Sequence, residues 1–382
     1  MKYLKIKMFH VEQCKFGVYV HVPFCVSKCG YCDFCRVTDM SLRDGYLSAV
    51  AKEMAACGWA GRKPRTVYVG GGTPSCLGAG RLRGLLSSLV KTFDLGETVE
   101  FTVECNPEDV TPELVAVMTE CGVNRVSMGA QSLSDSALRM MGRRHDARRV
   151  YDAVAILGKA GVTNISVDCI FGLPKIDGYS AYDDFEKFAA LGVTHLSAYA
   201  LQYEQGSRFT HMAEDGKLVP ATDDEVAEQY DALTSILARA GYEHYEISNY
   251  ARPGFRAIHN SSYWDRTDYL GFGPGASSLK EGVRWTNTYD VKEYIGSLGQ
   301  KKELVETLGE REVAEEVVML GLRTSRGVNP DDVPTAYRAA FDKAAAREKE
   351  LGNVAALTDG RLRIPEERWM VSNMIIRNLT DF

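Results

Sequence analysis

Residues 16–35 read FGVYVHVPFCVSKCGYCDFC. Phe16–Val22 is a β-branched, apolar run stopped by Pro23, and it reads as a buried strand. Four cysteines follow within eleven residues: Cys25, Cys29, Cys32 and Cys35. On a helix, the Cys25-x-x-x-Cys29-x-x-Cys32 spacing would put three thiols on one face. Pro23 ahead of it and Gly30 inside it favour a loop instead. A loop can wrap its thiolates around a compact cluster, and cysteine thiolates are the usual ligands of iron–sulfur centres. Three ligands on a four-iron cluster leave one iron open, like the open position of a catalytic zinc. The competing reading is a structural four-cysteine zinc site completed by Cys35. Such sites usually pair two knuckles far apart in sequence, and no second knuckle is present.

The rest of the composition agrees with a reducing compartment. The chain has 382 residues, 45% hydrophobic and 25% charged, with ten cysteines. At about 150 residues per domain that length suggests one large domain and a smaller one. It can bury a core without disulfides. Net charge is −6, from 45 basic and 51 acidic residues. No global basic field therefore favours nucleic acid or an anionic membrane. No apolar run approaches the roughly 18 residues of a membrane span, and Met1–His10 lacks the apolar core of a signal peptide. The expectation is a cytoplasmic protein with no nucleic-acid partner and no membrane span.

Outward from the first strand, five more segments read as buried strands: Thr66–Val69, Thr98–Glu104, Arg125–Ala130, Asn164–Ile170 and His195–Leu201. Helical periodicity falls between and after them, at Leu42–Ala56, Arg81–Phe93, Pro112–Glu120, Ala147–Lys159, Ala181–Leu191 and Asp223–Ala240. Ser41 reads as a start signal for the first helix, and Thr111 with Pro112 for the third. The alternation predicts an α/β fold of right-handed βαβ units around a parallel sheet. Tyr245–Ser278, rich in Gly, Asn, Tyr and Trp, reads as loops with short strands. From Val291 the chain is helical and charged, with a hairpin at Leu357–Ile364 turning on Asp359-Gly360. The domain boundary is placed at 290, giving domains 1–290 and 291–382.

Tyr19-Val-His-Val-Pro-Phe-Cys25, the three-cysteine spacing and the aromatic Tyr31 before Cys32 resemble the radical S-adenosylmethionine (SAM) superfamily. Within it, the chain resembles the oxygen-independent coproporphyrinogen oxidase group over nearly its whole length. The resemblance implies a partial (β/α)6 barrel with a small C-terminal α+β domain. It also implies a 4Fe–4S cluster on Cys25, Cys29 and Cys32, with SAM on the unique iron.

In parallel β/α barrels the site is built at the C-terminal ends of the strands. Gly70-Gly71-Gly72-Thr73-Pro74 follows the second strand, and its glycines would let backbone approach a ligand amine; a structural tight turn is the alternative. The motif matches neither a phosphate loop nor a dinucleotide fingerprint. Glu104 ends the third strand, Gln131 follows the fourth with Arg143 twelve residues on, and Asp168 lies late in the fifth. The resemblance assigns these to SAM, together with Tyr19, Tyr31, Gly71, Gly72, Thr73 and Ala200, and the oxidase subgroup is known for a second SAM. Arg143 would pair a SAM carboxylate. Taken singly, each could be a solvated or core-capping polar residue.

Two branches of the group divide the functional expectation. Cys32-Asp33-Phe34 and His259-Asn260-Ser-Ser-Tyr263-Trp264 resemble the haem-chaperone branch, in which the latter motif is associated with haem. A neutral imidazole is a common axial ligand of haem iron, and aromatics can cover a porphyrin face. The resemblance thus implies haem or a porphyrin as ligand, an apoprotein that accepts haem, and His259, Asn260, Tyr263 and Trp264 as the haem residues. The bland alternative is a satisfied loop histidine with its aromatics in the core. The other reading is an oxidase that decarboxylates coproporphyrinogen III by radical chemistry; the cluster motif's early position, residue 25, argues against it. Relatives often have Gly-Ala-His where this chain has Gly275-Ala276-Ser277, and Cys35 departs from both branches, reading as a free buried thiol.

Overall fold

The computed structural model describes residues 16–33 and 35–382. The readings made on Met1–His10 and on Phe34 lie outside the described residues. The six expected strands form as β1 (Gly17–Val22), β2 (Thr66–Gly71), β3 (Glu100–Cys105), β4 (Arg125–Gln131), β5 (Asn164–Phe171) and β6 (His195–Ala200). They pair in that order, all parallel. Later come β7 (Glu243–Glu246), β8 (Asn249–Ala251), β9 (Tyr269–Phe272), β10 (Ser277–Lys280), β11 (Val283–Asn287) and β12 (Lys302–Thr307). One sheet runs β12-β11-β10-β9-β1-β2-β3-β4-β5-β6-β8-β7. Among the described residues its two ends do not pair, so the barrel is partial. β9 lies parallel to β1, an extension beyond the six strands that the local pattern does not announce.

Strand alternation explains the two faces. Val18, Val20, Val22, Val67, Val69, Val103, Val126 and Val167 are fully buried in the apolar core with the helices. Each such side chain contributes on the order of 1.5–3 kcal/mol. The alternate residues are polar: Tyr19, His21, Tyr68, Thr102, Glu104, Arg125, Ser127, Ser166, Asp168, His195 and Ser197. A register row runs Tyr19, Tyr68, Thr102, Arg125 across β1 to β4. The concave face of the sheet is therefore a polar interior.

The helices span Arg43–Ala56, Gly78–Thr92, Pro112–Glu120, Ala147–Lys159, Ala181–Ala190 and Asp223–Arg239. Thr111 accepts from Leu114 N at 3.2 Å, and Thr222 and Glu225 form a capping box, each satisfying orphan N–H groups. Ser41 does not cap the first helix. Asp39 accepts from Ser41 N at 3.0 Å and caps a 3-10 turn, Met40–Leu42, that leads into it.

Within Tyr245–Ser278 a helix forms at Ile258–Trp264, where loops and short strands were expected. Its first amides, Ile258 N and His259 N, donate to the buried Glu100 carboxylate at 2.8 and 2.9 Å. A carboxylate at a helix N-terminus stabilises it, and this one sits far away in sequence.

A second core gathers Ala314, Val318, Leu322, Phe341, Trp369, Ile375 and Leu379. It contains the expected hairpin, with Ala355–Ala356 paired to Leu362–Arg363. The cores divide nearer residue 310 than 290, because β12 joins the large sheet and the Val291–Gly296 helix packs on Arg43–Ala56. Glu53 ties this extension down: its buried carboxylate accepts from Gly273 N, Asn287 Nδ2, Tyr294 Oη and Lys302 Nζ. Among the described residues, no helix is long and apolar enough to cross a membrane.

Candidate functional site

The C-terminal ends of β1 to β6 surround a cavity of about 800 Å³, within the range of small-molecule sites. The cysteine segment enters as the loop after β1. Cys25 N donates to Val37 O, Gly30 N to Met141 O, and Phe209 N to Gly30 O, so three separate segments hold it. Cys25, Cys29 and Cys32 all line the cavity. Cys25 Sγ lies 3.5 Å from Thr73 Oγ1. Arg143 Nη1 donates to Cys29 Sγ at 3.3 Å, and its Nη2 donates to Asn106 Oδ1 and Gly129 O at 2.7 Å each. The guanidinium thus places a positive charge against one of the three sulfurs while two oxygens hold it in place.

Cys35 stands apart. Its thiol donates to Tyr289 O at 3.4 Å, and His21 Nε2 holds its backbone oxygen at 2.9 Å. Among the described residues no three Cys, His, Asp or Glu side chains converge at single-ion distance. Among those residues the tetrahedral zinc alternative finds no such group. The described cysteines are all free thiols, and Cys105 and Cys169 are buried in the main core.

Every residue expected at a SAM site lines this one cavity: Tyr19, Tyr31, Gly71, Gly72, Thr73, Glu104, Gln131, Arg143, Asp168 and Ala200. The glycines serve packing of the protein itself. A Cβ on Gly71, which has φ +110°, would meet the His21 ring at 2.7 Å, and one on Gly72 would meet Phe24 O at 2.7 Å. They let the loop after β2 press against the cysteine loop. Gln131 has φ +70° at an irregularity ending β4. A non-glycine residue there carries strain, and the bend leaves Gln131 on the cavity wall.

Glu104 accepts from Tyr68 Oη at 2.7 Å and from Gly71 N at 3.0 Å. Burial pushes its carboxyl up to about 7, against the pull of Tyr68, Gly71 and Arg125. Burial also pushes Asp168 up to about 6, opposed by Ser197, Arg125 and Arg143. Beneath both lies Arg125, only 1% exposed, with no hydrogen-bond partner on any of its three guanidinium nitrogens. Sequence reasoning missed Arg125, Asn106 and His21. Asn106 stands inside the Glu-Cys-Asn-Pro-Glu stretch, and the polar-inward alternation of β1 and β4 carried the signal for the other two.

The expected haem residues are not at the cavity. His259, Asn260, Tyr263 and Trp264 lie on the Ile258–Trp264 helix, against the N-terminal ends of β1 to β3. His259 is buried. Its Nδ1 hydrogen bonds with Thr66 Oγ1 at 2.8 Å and its Nε2 with Tyr263 Oη at 2.9 Å. Burial, then the charge of Arg125, lowers its pKa to about 3, so the imidazole is neutral with one donor and one acceptor, both engaged. In this arrangement neither ring nitrogen is open, and the motif helix closes the barrel's floor. Ser277 Oγ pairs with Thr286 Oγ1 at 2.9 Å, a contact between neighbouring strands.

A family model of the Radical SAM superfamily matches residues 19–191. Heme chaperone HemW of Lactococcus lactis is 37% identical over 352 residues, covering 91% of this chain and 92% of that protein. Heme chaperone HemW of Mycobacterium tuberculosis is 35% identical over 366 residues, covering 94% and 91%. Among solved structures, coproporphyrinogen III oxidase (HemN) from Escherichia coli, a radical SAM enzyme, aligns with a TM-score of 0.81 over 97% of this chain and 91% of that one. Its sequence identity is 20%, so the likeness speaks for the fold. With the cysteine loop at the mouth of a partial barrel and relatives matching along nearly the whole chain, the protein belongs to the radical SAM superfamily and, within its coproporphyrinogen oxidase-like group, to the HemW family.

Proposed function

We propose that this protein is a cytoplasmic haem chaperone that holds a 4Fe–4S cluster, binds SAM beside it and passes haem to an acceptor apoprotein. The observation that carries the reading is the meeting of three thiols, Arg143, Glu104 and Asp168 on one cavity, in a chain whose relatives are named heme chaperone HemW. Cys25, Cys29 and Cys32 would hold the cluster, and their loop, tied at three points, fits that demand. When bound, the cluster supplies an open iron position and an electron for a sulfonium ligand.

The chain's own groups supply the rest. Arg143 offers a buried cation to a ligand carboxylate. Glu104, fixed by Tyr68 and Gly71, has lone pairs left for an amine or ribose hydroxyl, and Asp168 offers the same from β5. Tyr19, Tyr31, Gly71, Gly72, Thr73, Gln131 and Ala200 form the walls that orient the adenosyl group. A porphyrin would be received at the mouth, where Val26 and Tyr199 are exposed and the lining residues Arg36 and Arg144 would face its propionates. A haem role for His259 would require its helix to leave Thr66 and Glu100.

The test uses anaerobically reconstituted protein. It would be titrated with haemin by absorbance and, in parallel, incubated with coproporphyrinogen III, SAM and dithionite. Stoichiometric haem binding without protoporphyrinogen is expected. Porphyrinogen product with SAM consumed and no saturable haem binding would replace the chaperone with the oxidase.

A further inference from the structure

The floor and the cavity are joined by an unbroken set of contacts. The His259 ring stacks on Tyr68, with centroids 5.2 Å apart and planes inclined by 26°. Thr66 Oγ1 and Tyr263 Oη hold the two ring nitrogens. Tyr263 is itself set by an edge contact with Tyr269, with centroids 4.7 Å apart. Tyr68 Oη then donates to Glu104 Oε1, and Glu104 Oε2 receives Gly71 N. The carboxylate that faces the cavity is thus aimed by a tyrosine whose ring face is fixed by the motif histidine.

We infer that His259 is a positioning residue: the His-Asn-x-x-Tyr-Trp helix locks Tyr68 from below so that Glu104 is held ready for the adenosyl or amine portion of a sulfonium ligand. This rests on the proposal that the cavity takes SAM. Partners that orient a ligand-binding group commonly matter about 10- to 100-fold in affinity. Groups that act as one unit do not add their losses. The motif then connects to ligand binding through hydrogen bonds and a ring face, with no bond from imidazole to iron.

The readout is SAM affinity by equilibrium dialysis of cluster-loaded protein, with haemin titration alongside. His259→Leu and Tyr68→Phe should each weaken SAM about tenfold, and the double variant should lose little more than the worse single one. His259→Gln, whose planar amide keeps hydrogen-bonding atoms toward Thr66 and Tyr263 and a flat face toward Tyr68, should recover most of the loss. Haem stoichiometry should stay as in the wild type throughout. Unchanged SAM affinity in Tyr68→Phe, which removes a single hydroxyl and tests the relay even if His259→Leu fails to fold, would overturn the inference. So would losses that add fully, or loss of haem binding in His259→Gln with SAM affinity intact. A wild-type protein that takes up its cluster but no SAM would instead overturn the proposed function, and the relay with it.

Discussion

The two ends of the barrel use the same residue types to opposite effect. At the mouth, cysteine, arginine and carboxylate side chains line one cavity, and among the described residues the Glu104 carboxylate there accepts only two hydrogen bonds, from Tyr68 and Gly71. At the floor, a histidine, a tyrosine and a buried glutamate are closed on one another. Glu100 takes two helix amides, and His259 has both nitrogens engaged. Between them lies Arg125, a guanidinium without a hydrogen bond, whose charge favours the ionised forms of Glu104 and Asp168 above it. The contrast teaches that a motif rich in ligand-type residues becomes a site only where the fold leaves those groups unsatisfied.

The comparison predicts that variants of the groups lining the mouth lose ligands, whereas loss of the buried Glu100 at the floor costs stability. The largest effect is expected from Cys29→Ala, which should abolish the iron–sulfur absorbance of anaerobically reconstituted protein; a retained four-iron spectrum would remove the cysteine from the ligand set. Arg143→Met should weaken SAM by one to two orders of magnitude, in line with the ~1.5–3 kcal/mol of a charged hydrogen bond. Its cluster content should remain, and equal affinity in wild type and variant would break the mouth assignment.

At the floor, Glu100→Leu should leave two buried amides without an acceptor and cost about 2–6 kcal/mol in urea unfolding, from ~1–3 kcal/mol for each unsatisfied group. A variant as stable as wild type would show that the helix is held by other contacts.

Solution pH sharpens the picture further. Glu104 and Asp168 are held above their ordinary values, at about 7 and about 6. The folded chain therefore binds protons that the unfolded chain, with carboxyls near ~4, has released. Their contribution to stability is full at low pH and is lost as pH rises through 6 and 7. Between pH 5 and 8 the melting temperature of the ligand-free wild type should thus fall relative to Glu104→Gln, and parallel curves would contradict the buried, raised carboxyl. The smallest effect belongs to Thr222→Ala, a helix cap remote from both ends. It should cost about 1 kcal/mol and leave ligand titrations unaltered, which gives the baseline for purely local damage.

Much of the site was legible before any coordinates. β-Branched runs ended by Gly, Pro or Asn gave the six strands, and polar residues at their C-terminal ends could be read as candidates because a parallel barrel gathers those ends. The placement of His259 was not legible, for a definite reason. Its spacing to Tyr263 is local, whereas its true partners, Thr66, Tyr68 and Glu100, are more than 150 residues away. Likewise, the glycines after β2 could be read as room for a ligand until His21 and Phe24 proved to occupy that room.

The sequence by itself determined the elements: which segments are strands, where the thiol loop falls, and which polar residues terminate strands. These depend on nearest neighbours and on period. Only the tertiary structure decided which polar groups stay open and which are closed. It inserted β9 beside β1, carried β12 into the large sheet, and laid the motif helix across the floor. A hydrogen bond or an empty cavity is a property of residues brought together from distant positions, and the chain's linear order carries no distance between them.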